Sequence, residues 1–118
     1  MKEDTIFALS SGSGRAGLAV FRISGRKALQ TLKSLTGITE PKARHAYRVE
    51  LTNNIDNETI DDGIAIFFPN PKSFTGEDVL ELHLHGSIAV IREMTEVLSR
   101  FIGVRIANAG EFTKRAFD

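Results

Sequence analysis

The feature that most constrains the fold is a seven-residue segment, Val79–His85, in which apolar and ionisable side chains alternate. Leu80, Leu82 and Leu84 fall on one side of an extended chain, whereas Glu81, His83 and His85 fall on the other. Successive side chains of a β-strand point to opposite faces, so this pattern predicts a strand with a core face and a polar face. The polar face, which also includes Val79, would carry one carboxylate and two imidazoles.

Around this strand, the sequence predicts an alternation of further strands and helices. Strand patterns cover residues 5–10, 18–24, 44–51, 60–68 and 104–107, and a polar turn at 53–57 predicts a hairpin. Ser24 is a candidate N-cap for a helix that Gly37 would end, and Ser87 is a candidate N-cap for a helix that Gly103 would end. Residues 110–118 predict a turn and a final helix. This order indicates an α+β domain, a mixed β-sheet packed with two or three helices.

Length and charge limit the function classes that the chain can serve. The 118 residues correspond to one domain, and 15 Lys and Arg balance 15 Asp and Glu. The basic surface expected of a stand-alone nucleic-acid binder is therefore missing. The absence of cysteine excludes disulfides and a cysteine nucleophile. The acidic, briefly apolar N-terminus predicts neither a signal peptide nor a membrane span, so we expect a cytoplasmic protein.

A glycine-rich segment at residues 12–17 matches the G-x-G-x-x-G pattern of dinucleotide sites. That pattern requires a following helix, whereas residues 18–24 predict a strand, and the Lys-Ser/Thr pair of a phosphate-binding P-loop is missing. We therefore expect no dinucleotide site and no hydrolysis of nucleoside triphosphates by this chain. Two interpretations remain: a flexible connection, or a loop whose backbone approaches a ligand with Arg15 at its tip as a candidate pocket residue.

The polar face of the Val79–His85 strand has three interpretations. It can be a solvated sheet face. It can be a metal site formed by Glu81, His83 and His85, since alternate strand residues share one side. It can also be the floor of a pocket, with His85 at its border, for a flat, nitrogen-rich heterocycle. In that case the Glu81 carboxylate would accept the two parallel N–H donors that a pterin ring offers.

Six segments spread over the whole chain carry motifs in a specific order and separation. They are DTI at 4–6, GRAG at 14–17 followed by FRISG at 21–25, DGIA at 62–65 followed by FFP at 67–69, SFTGED at 73–78, ELH at 81–83 with HG at 85–86, and GEFTKRAF at 110–117. Together they resemble the N-terminal domain of the MnmE (TrmE) family of tRNA-modifying GTPases. One departure is Ser87, which stands where that family usually has a second glycine.

The resemblance implies a fold and a function. It implies a fold like that of folate-binding aminomethyltransferases, and a domain over residues 1–118 that binds a tetrahydrofolate derivative of the 5-formyl type and forms a homodimer. The complete protein would modify C5 of the wobble uridine of tRNA together with an MnmG-type partner, with the folate supplying a one-carbon unit. The helical and GTPase domains, with their GTP, Mg²⁺ and K⁺, would lie outside this chain, which is expected not to be catalytic alone.

Carried over residue by residue, the resemblance places the folate-binding arginine of the FRISG segment on Arg22. It places the folate-binding carboxylate on Glu81, and a third contact, a lysine, after Asp118. Two alternatives from other classes remain: a small metal-dependent enzyme using Glu81, His83 and His85, and a purely structural dimerisation domain. Because the last helix ends with the chain while Phe112 and Phe117 call for burial, we expect the domain to be part of a longer protein.

Overall fold

The computed structural model describes residues 4–10 and 17–117, and within them the chain forms six strands and three helices in one α+β arrangement. The elements follow the predicted order. The strands are β1 (Thr5–Leu9), β2 (Leu18–Ser24), β3 (Tyr47–Thr52), β4 (Thr59–Phe68), β5 (Val79–His85) and β6 (Val104–Ile106). The helices are α1 (Ala28–Thr36), α2 (Ile88–Arg100) and α3 (Glu111–Phe117).

The described strands form a single mixed sheet in the order β3-β4-β5-β2-β1-β6. All neighbouring strands are antiparallel except β1 and β6, which pair in parallel. This topology places β5 between β4 and β2, at the middle of the sheet. The predicted hairpin is confirmed as the β3–β4 pair, and the predicted mixed sheet is confirmed as well.

The core lies between one face of the sheet and the helices α1 and α2. Leu80, Leu82 and Leu84 of β5 are almost fully buried there, as the alternation predicts. They pack with a shared set of apolar side chains from the neighbouring strand β2 and both helices: Ala19, Phe21, Ile23, Ala28, Leu32, Leu35, Met94, Val97 and Leu98. Full burial of each large side chain contributes roughly 1.5–3 kcal/mol. The opposite face of β5, with Glu81 and His83, is only half-covered.

The helix ends confirm some of the predicted caps and correct others. Ser87 caps α2, because its side-chain oxygen accepts a hydrogen bond from the Val90 N–H at 3.2 Å. Gly37 ends α1 in a left-handed conformation, with its N–H bonded to the Lys33 carbonyl oxygen. Helix α2 ends at Arg100, before Gly103.

The prediction that Ser24 caps α1 is wrong. Ser24 is the last residue of β2 and is fully buried, and α1 begins only at Ala28, with Lys27 at the N-cap. The Ser24 hydroxyl instead lies 2.7 Å from the Thr75 hydroxyl and donates to Glu77 Oε1 at 2.8 Å. The segment between β2 and α1 is held by Thr5, whose Oγ1 accepts from the Lys27 N–H.

Helix α3 buries a charged side chain rather than an aromatic one. Phe117 is 85% exposed, whereas the Arg115 side chain is only 5% exposed. The reason is electrostatic: Arg115 lies between the carboxylates of Glu77 and Glu111, at 3.0 and 3.5 Å. In the part of the chain that the structure describes, no helix is long and apolar enough to cross a membrane.

Candidate functional site

The site is built on the open face of the sheet, where β5 lies between β2 and β4. Arg22 of β2 and Ile66 of β4 are the register partners of Glu81 on its two sides. Val20 and Ile64 flank His83 in the same way. The imidazole of His83 therefore lies between two β-branched apolar side chains, whereas the carboxylate of Glu81 lies between an arginine and an isoleucine.

The register brings Arg22 and Glu81 into direct contact. The Arg22 Nε and Nη2 atoms lie 3.1 and 3.0 Å from Glu81 Oε2. His83 Nε2 lies 3.0 Å from the other carboxylate oxygen, Oε1. The Arg22, Glu81 and His83 side chains are 29%, 17% and 31% exposed, so the group is half-buried and accessible from solvent. The two oxygens of Glu81 thus have different partners.

Phe74, in the SFTGED segment, completes this group from the loop before β5. The Arg22 guanidinium carbon lies 5.5 Å from the centroid of the Phe74 ring, within the range of a cation–π contact. The ring is nevertheless 54% exposed. Arg22 is therefore held between a carboxylate on one side and an aromatic ring on the other. Sequence reasoning did not single out Phe74 as a site residue, because a loop has no periodicity to mark it.

His85 belongs to a separate group at the end of β5. Its Nδ1 lies 2.9 Å from Asp61 Oδ1, and its backbone N–H donates to Asp61 Oδ2 at 2.9 Å. The ring of His85 borders a cavity of about 310 Å³, which has a largely apolar wall that includes Leu18, Ile64 and Ile66. His83 also lines this cavity. Because His83 bonds to Glu81, the cavity is adjacent to the Arg22–Glu81 pair. Arg15, the other candidate pocket residue, lies outside the described residues.

The structure gives the metal-dependent alternative no set of ligands. His83 bonds to Glu81, whereas His85 bonds to Asp61. Across residues 4–10 and 17–117, no group of three or more His, Cys, Asp or Glu side chains is placed to hold a metal ion. Alternation along β5 puts the three predicted ligands on one face, but each imidazole has a different carboxylate partner.

A second charged network supports the loop that carries Phe74. Glu77, at the end of this loop, accepts hydrogen bonds from Ser24 of β2 and Arg115 of α3. Arg115 in turn lies beside Glu111, which accepts two hydrogen bonds from Arg105 at 2.9 and 2.7 Å. These hydrogen bonds lower the pKa of Glu111 to about 2 from its ordinary value of 4.5, and they raise the pKa of Arg105 above its usual range.

The comparisons with known proteins agree with the motifs. The family model described as "GTP-binding protein TrmE N-terminus" matches residues 5–118. The chain is 53% identical over 114 residues to the tRNA modification GTPase MnmE of Rickettsia bellii, and 51% identical over 114 residues to that of Rickettsia rickettsii. It is 49% identical over 115 residues to that of Parvibaculum lavamentivorans. These matches cover 97–98% of this chain but only 26% of each relative, so the chain spans about a quarter of their length.

Proposed function

Since the chain belongs to the TrmE N-terminal family, we propose that it binds a tetrahydrofolate derivative of the 5-formyl type at the Arg22–Glu81 pair. The observation that carries this proposal is the position of Glu81. Its carboxylate is half-buried on the open face of the sheet, with one oxygen bonded to Arg22 and the other to His83. A carboxylate, with two acceptor oxygens, is the group that can accept the two parallel N–H donors of a pterin edge.

Binding would exchange hydrogen bonds at Glu81 rather than add them to an empty acceptor. Both Arg22 donors now converge on Glu81 Oε2, and each carboxylate oxygen accepts about two hydrogen bonds. A ligand with two parallel N–H groups would need one of these positions, so Arg22 would give up at least one of its bonds. Its freed N–H groups could then donate to an oxygen of the ligand. Both residues would thereby contact the folate.

Within the complete protein, this domain would also serve assembly. We propose that it forms a homodimer with a two-fold axis, so that each protomer presents the same surface. The complete cytoplasmic protein would then modify C5 of the wobble uridine of tRNA with an MnmG-type partner, using the one-carbon unit of the folate. GTP, Mg²⁺ and K⁺ would bind to the GTPase domain outside this chain, and this domain alone would carry out no catalysis.

The test is a calorimetric titration of 5-formyl-tetrahydrofolate into the protein and two carboxylate variants. Glu81→Gln keeps the size of the side chain but loses the acceptor pair, whereas Glu50→Gln changes an exposed carboxylate on β3. We expect saturable binding to the wild type and to Glu50→Gln, with a loss of at least tenfold in affinity for Glu81→Gln, as for other hydrogen bonds to charged groups.

Other outcomes would change the assignment. Equal affinity of wild type and Glu81→Gln for the ligand would show that the folate does not bind at Glu81 of β5. No binding to this chain, but binding to a chain extended beyond Asp118, would show that the following segment completes the pocket. No binding to either would favour a purely structural dimerisation domain, in which the Arg22–Glu81 pair serves only to connect β2 and β5. Light scattering on the same samples would test the dimer.

A further inference from the structure

Phe74 contributes little buried area to the core of the domain. Its ring is 54% exposed, and it lies in a loop whose neighbouring residues are fixed by hydrogen bonds. The Ser73 hydroxyl donates to the Glu77 carbonyl oxygen, and Thr75, which is buried, lies 2.7 Å from the Ser24 hydroxyl. An aromatic ring that is held in place and left half-exposed loses entropy without gaining the full free energy of burial.

The Arg22 guanidinium indicates what this ring is placed to receive. The guanidinium is flat, donates two N–H groups to Glu81 and lies over the face of Phe74 at 5.5 Å. A heterocycle with a ring N–H next to an exocyclic amine has the same two features. It presents parallel N–H donors at its edge and a flat face for stacking. The Arg22 side chain therefore marks the position of such a ring between Glu81 and Phe74.

We propose that Phe74 is the stacking surface of this site, and that a planar amino-heterocycle held at Glu81 lies with its face against the Phe74 ring. The inference rests on the proposed function and adds to it the residue that selects for a flat ring. On binding, the heterocycle takes the place of the guanidinium, and Arg22 moves to the rim of the site. Phe74 then contributes contact area and face-to-face attraction, whereas Glu81 fixes the orientation of the ring.

The first experiment compares aromatic and aliphatic side chains at residue 74. Phe74→Leu and Phe74→Tyr are titrated with 5-formyl-tetrahydrofolate and with pterin, which contains the heterocycle without the remainder of the folate. Removing an aromatic side chain on which a heterocycle stacks lowers the affinity for that heterocycle by about tenfold or more. We expect this loss for Phe74→Leu with both ligands, and affinity within about threefold of wild type for Phe74→Tyr, which keeps the ring. Because Phe74 is exposed and its contact with Arg22 is a weak one, the thermal midpoint of Phe74→Leu should fall by no more than a few degrees.

The second experiment separates stacking from an indirect effect through Arg22. The chain contains no tryptophan, so Phe74→Trp introduces a single indole reporter at the proposed contact. Stacking predicts that both ligands quench its fluorescence saturably, with the affinity measured by calorimetry. Ile102→Trp is the matched control, because Ile102 is 88% exposed in the turn between α2 and β6. Its emission should change only by the light that the ligand absorbs.

The outcomes distinguish this inference from the proposed function. Folate binding that depends on Glu81 but is unchanged in Phe74→Leu would overturn the role of Phe74 and leave the folate site standing. Pterin binding that depends on Phe74, without folate binding, would support the stacking surface and overturn the proposal that the ligand is a folate. If neither this chain nor a chain extended beyond Asp118 binds either ligand, both proposals are wrong. An unquenched Phe74→Trp that still binds tightly would also overturn the stacking.

Discussion

Arg115 and Glu77 form an ion pair between α3 and the loop that carries Phe74. The Arg115 Nη1 atom lies 3.0 Å from Glu77 Oε1, and the two side chains are 5% and 16% exposed. The same Glu77 oxygen accepts a hydrogen bond from Ser24 at the end of β2. One carboxylate thus connects the last helix, the second strand and the loop beside the candidate site.

Removal of the Arg115 cation should destabilise the domain strongly. Arg115→Met keeps the apolar stem but leaves Glu77 and Glu111 without this partner in a poorly hydrated position. Breaking a buried pair on one side costs about 3 kcal/mol. We expect a loss of this size in the free energy of unfolding, measured by urea denaturation. Lys114→Met, on the exposed side of α3, should change it by less than about 0.5 kcal/mol.

A double-mutant cycle checks whether the cost arises from the pair itself. Once Glu77→Gln has removed the charge of its partner, Arg115→Met should cost less than it does alone. If the two losses simply add, the ion pair does not provide the stability, and the packing of the arginine stem does.

The low pKa of Glu111 in the folded state predicts that the protein loses stability at acid pH. Its hydrogen bonds with Arg105 lower its pKa to about 2 in the folded state, from an ordinary value of 4.5. Between these values the unfolded chain binds the proton and the folded protein does not, so folding is favoured by high pH. The contribution is complete above about pH 4.5 and is lost as the pH falls through about 2. Because Arg105 is partly exposed, solvent weakens the interaction. We therefore expect Glu111 to contribute on the order of 2 kcal/mol to the free energy of unfolding, less than the full shift of its pKa would give.

Urea denaturation of wild type and Glu111→Gln at several pH values measures this contribution. At neutral pH the variant should be less stable, because it lacks the charge that Arg105 and Arg115 contact. The difference from wild type should narrow as the pH approaches 2. A difference that is constant across this range would contradict a low pKa for Glu111.

Local patterns were sufficient to predict the elements that frame the site, but not the contacts between them. The alternation in β5 predicts which side chains reach the core and which reach the open face. Glu81 and Arg22 are far apart in the sequence, and only the pairing of β2 with β5 places them opposite each other. The sequence indicated both residues through the resemblance, whereas their hydrogen bonds depend on the strand register.

Other contacts were missed because they depend on the partners of a side chain. No pattern in the sequence marks Arg115 for burial, yet it is buried in α3 because two carboxylates from different elements meet there. His85 shares a face with Glu81 in the pattern, but Asp61 of β4 provides its partner. Periodicity gives the direction of a side chain, and the tertiary structure decides what lies there.

Ser87 gives a direct test of helix capping. Its hydroxyl accepts from the Val90 N–H, one of the N–H groups at the start of α2 that have no partner within the helix. Ser87→Ala should reduce the free energy of unfolding by about 1 kcal/mol. Ser87→Asp should retain the stability of wild type, because it supplies an acceptor and a negative charge at the helix N-terminus. Equal stability of the alanine variant and wild type would show that solvent replaces this cap.

Because Gly63 has no side chain, β4 can lie close to the His83 backbone of β5. A Cβ atom at residue 63 would lie 2.2 Å from the His83 carbonyl oxygen, a backbone atom that cannot rotate away. Gly63→Ala should therefore force the strands apart and destabilise the protein by about 2–4 kcal/mol.

Gly37→Ala is a useful comparison: its Cβ would meet nothing within 4 Å, but its φ of +82° is left-handed, which costs about 1–2 kcal/mol in backbone strain. Urea denaturation should show the larger loss for Gly63→Ala. A smaller loss there than at Gly37 would mean that the sheet relaxes to admit the methyl group, and a normal affinity for 5-formyl-tetrahydrofolate in that variant would show that Glu81 tolerates the shift.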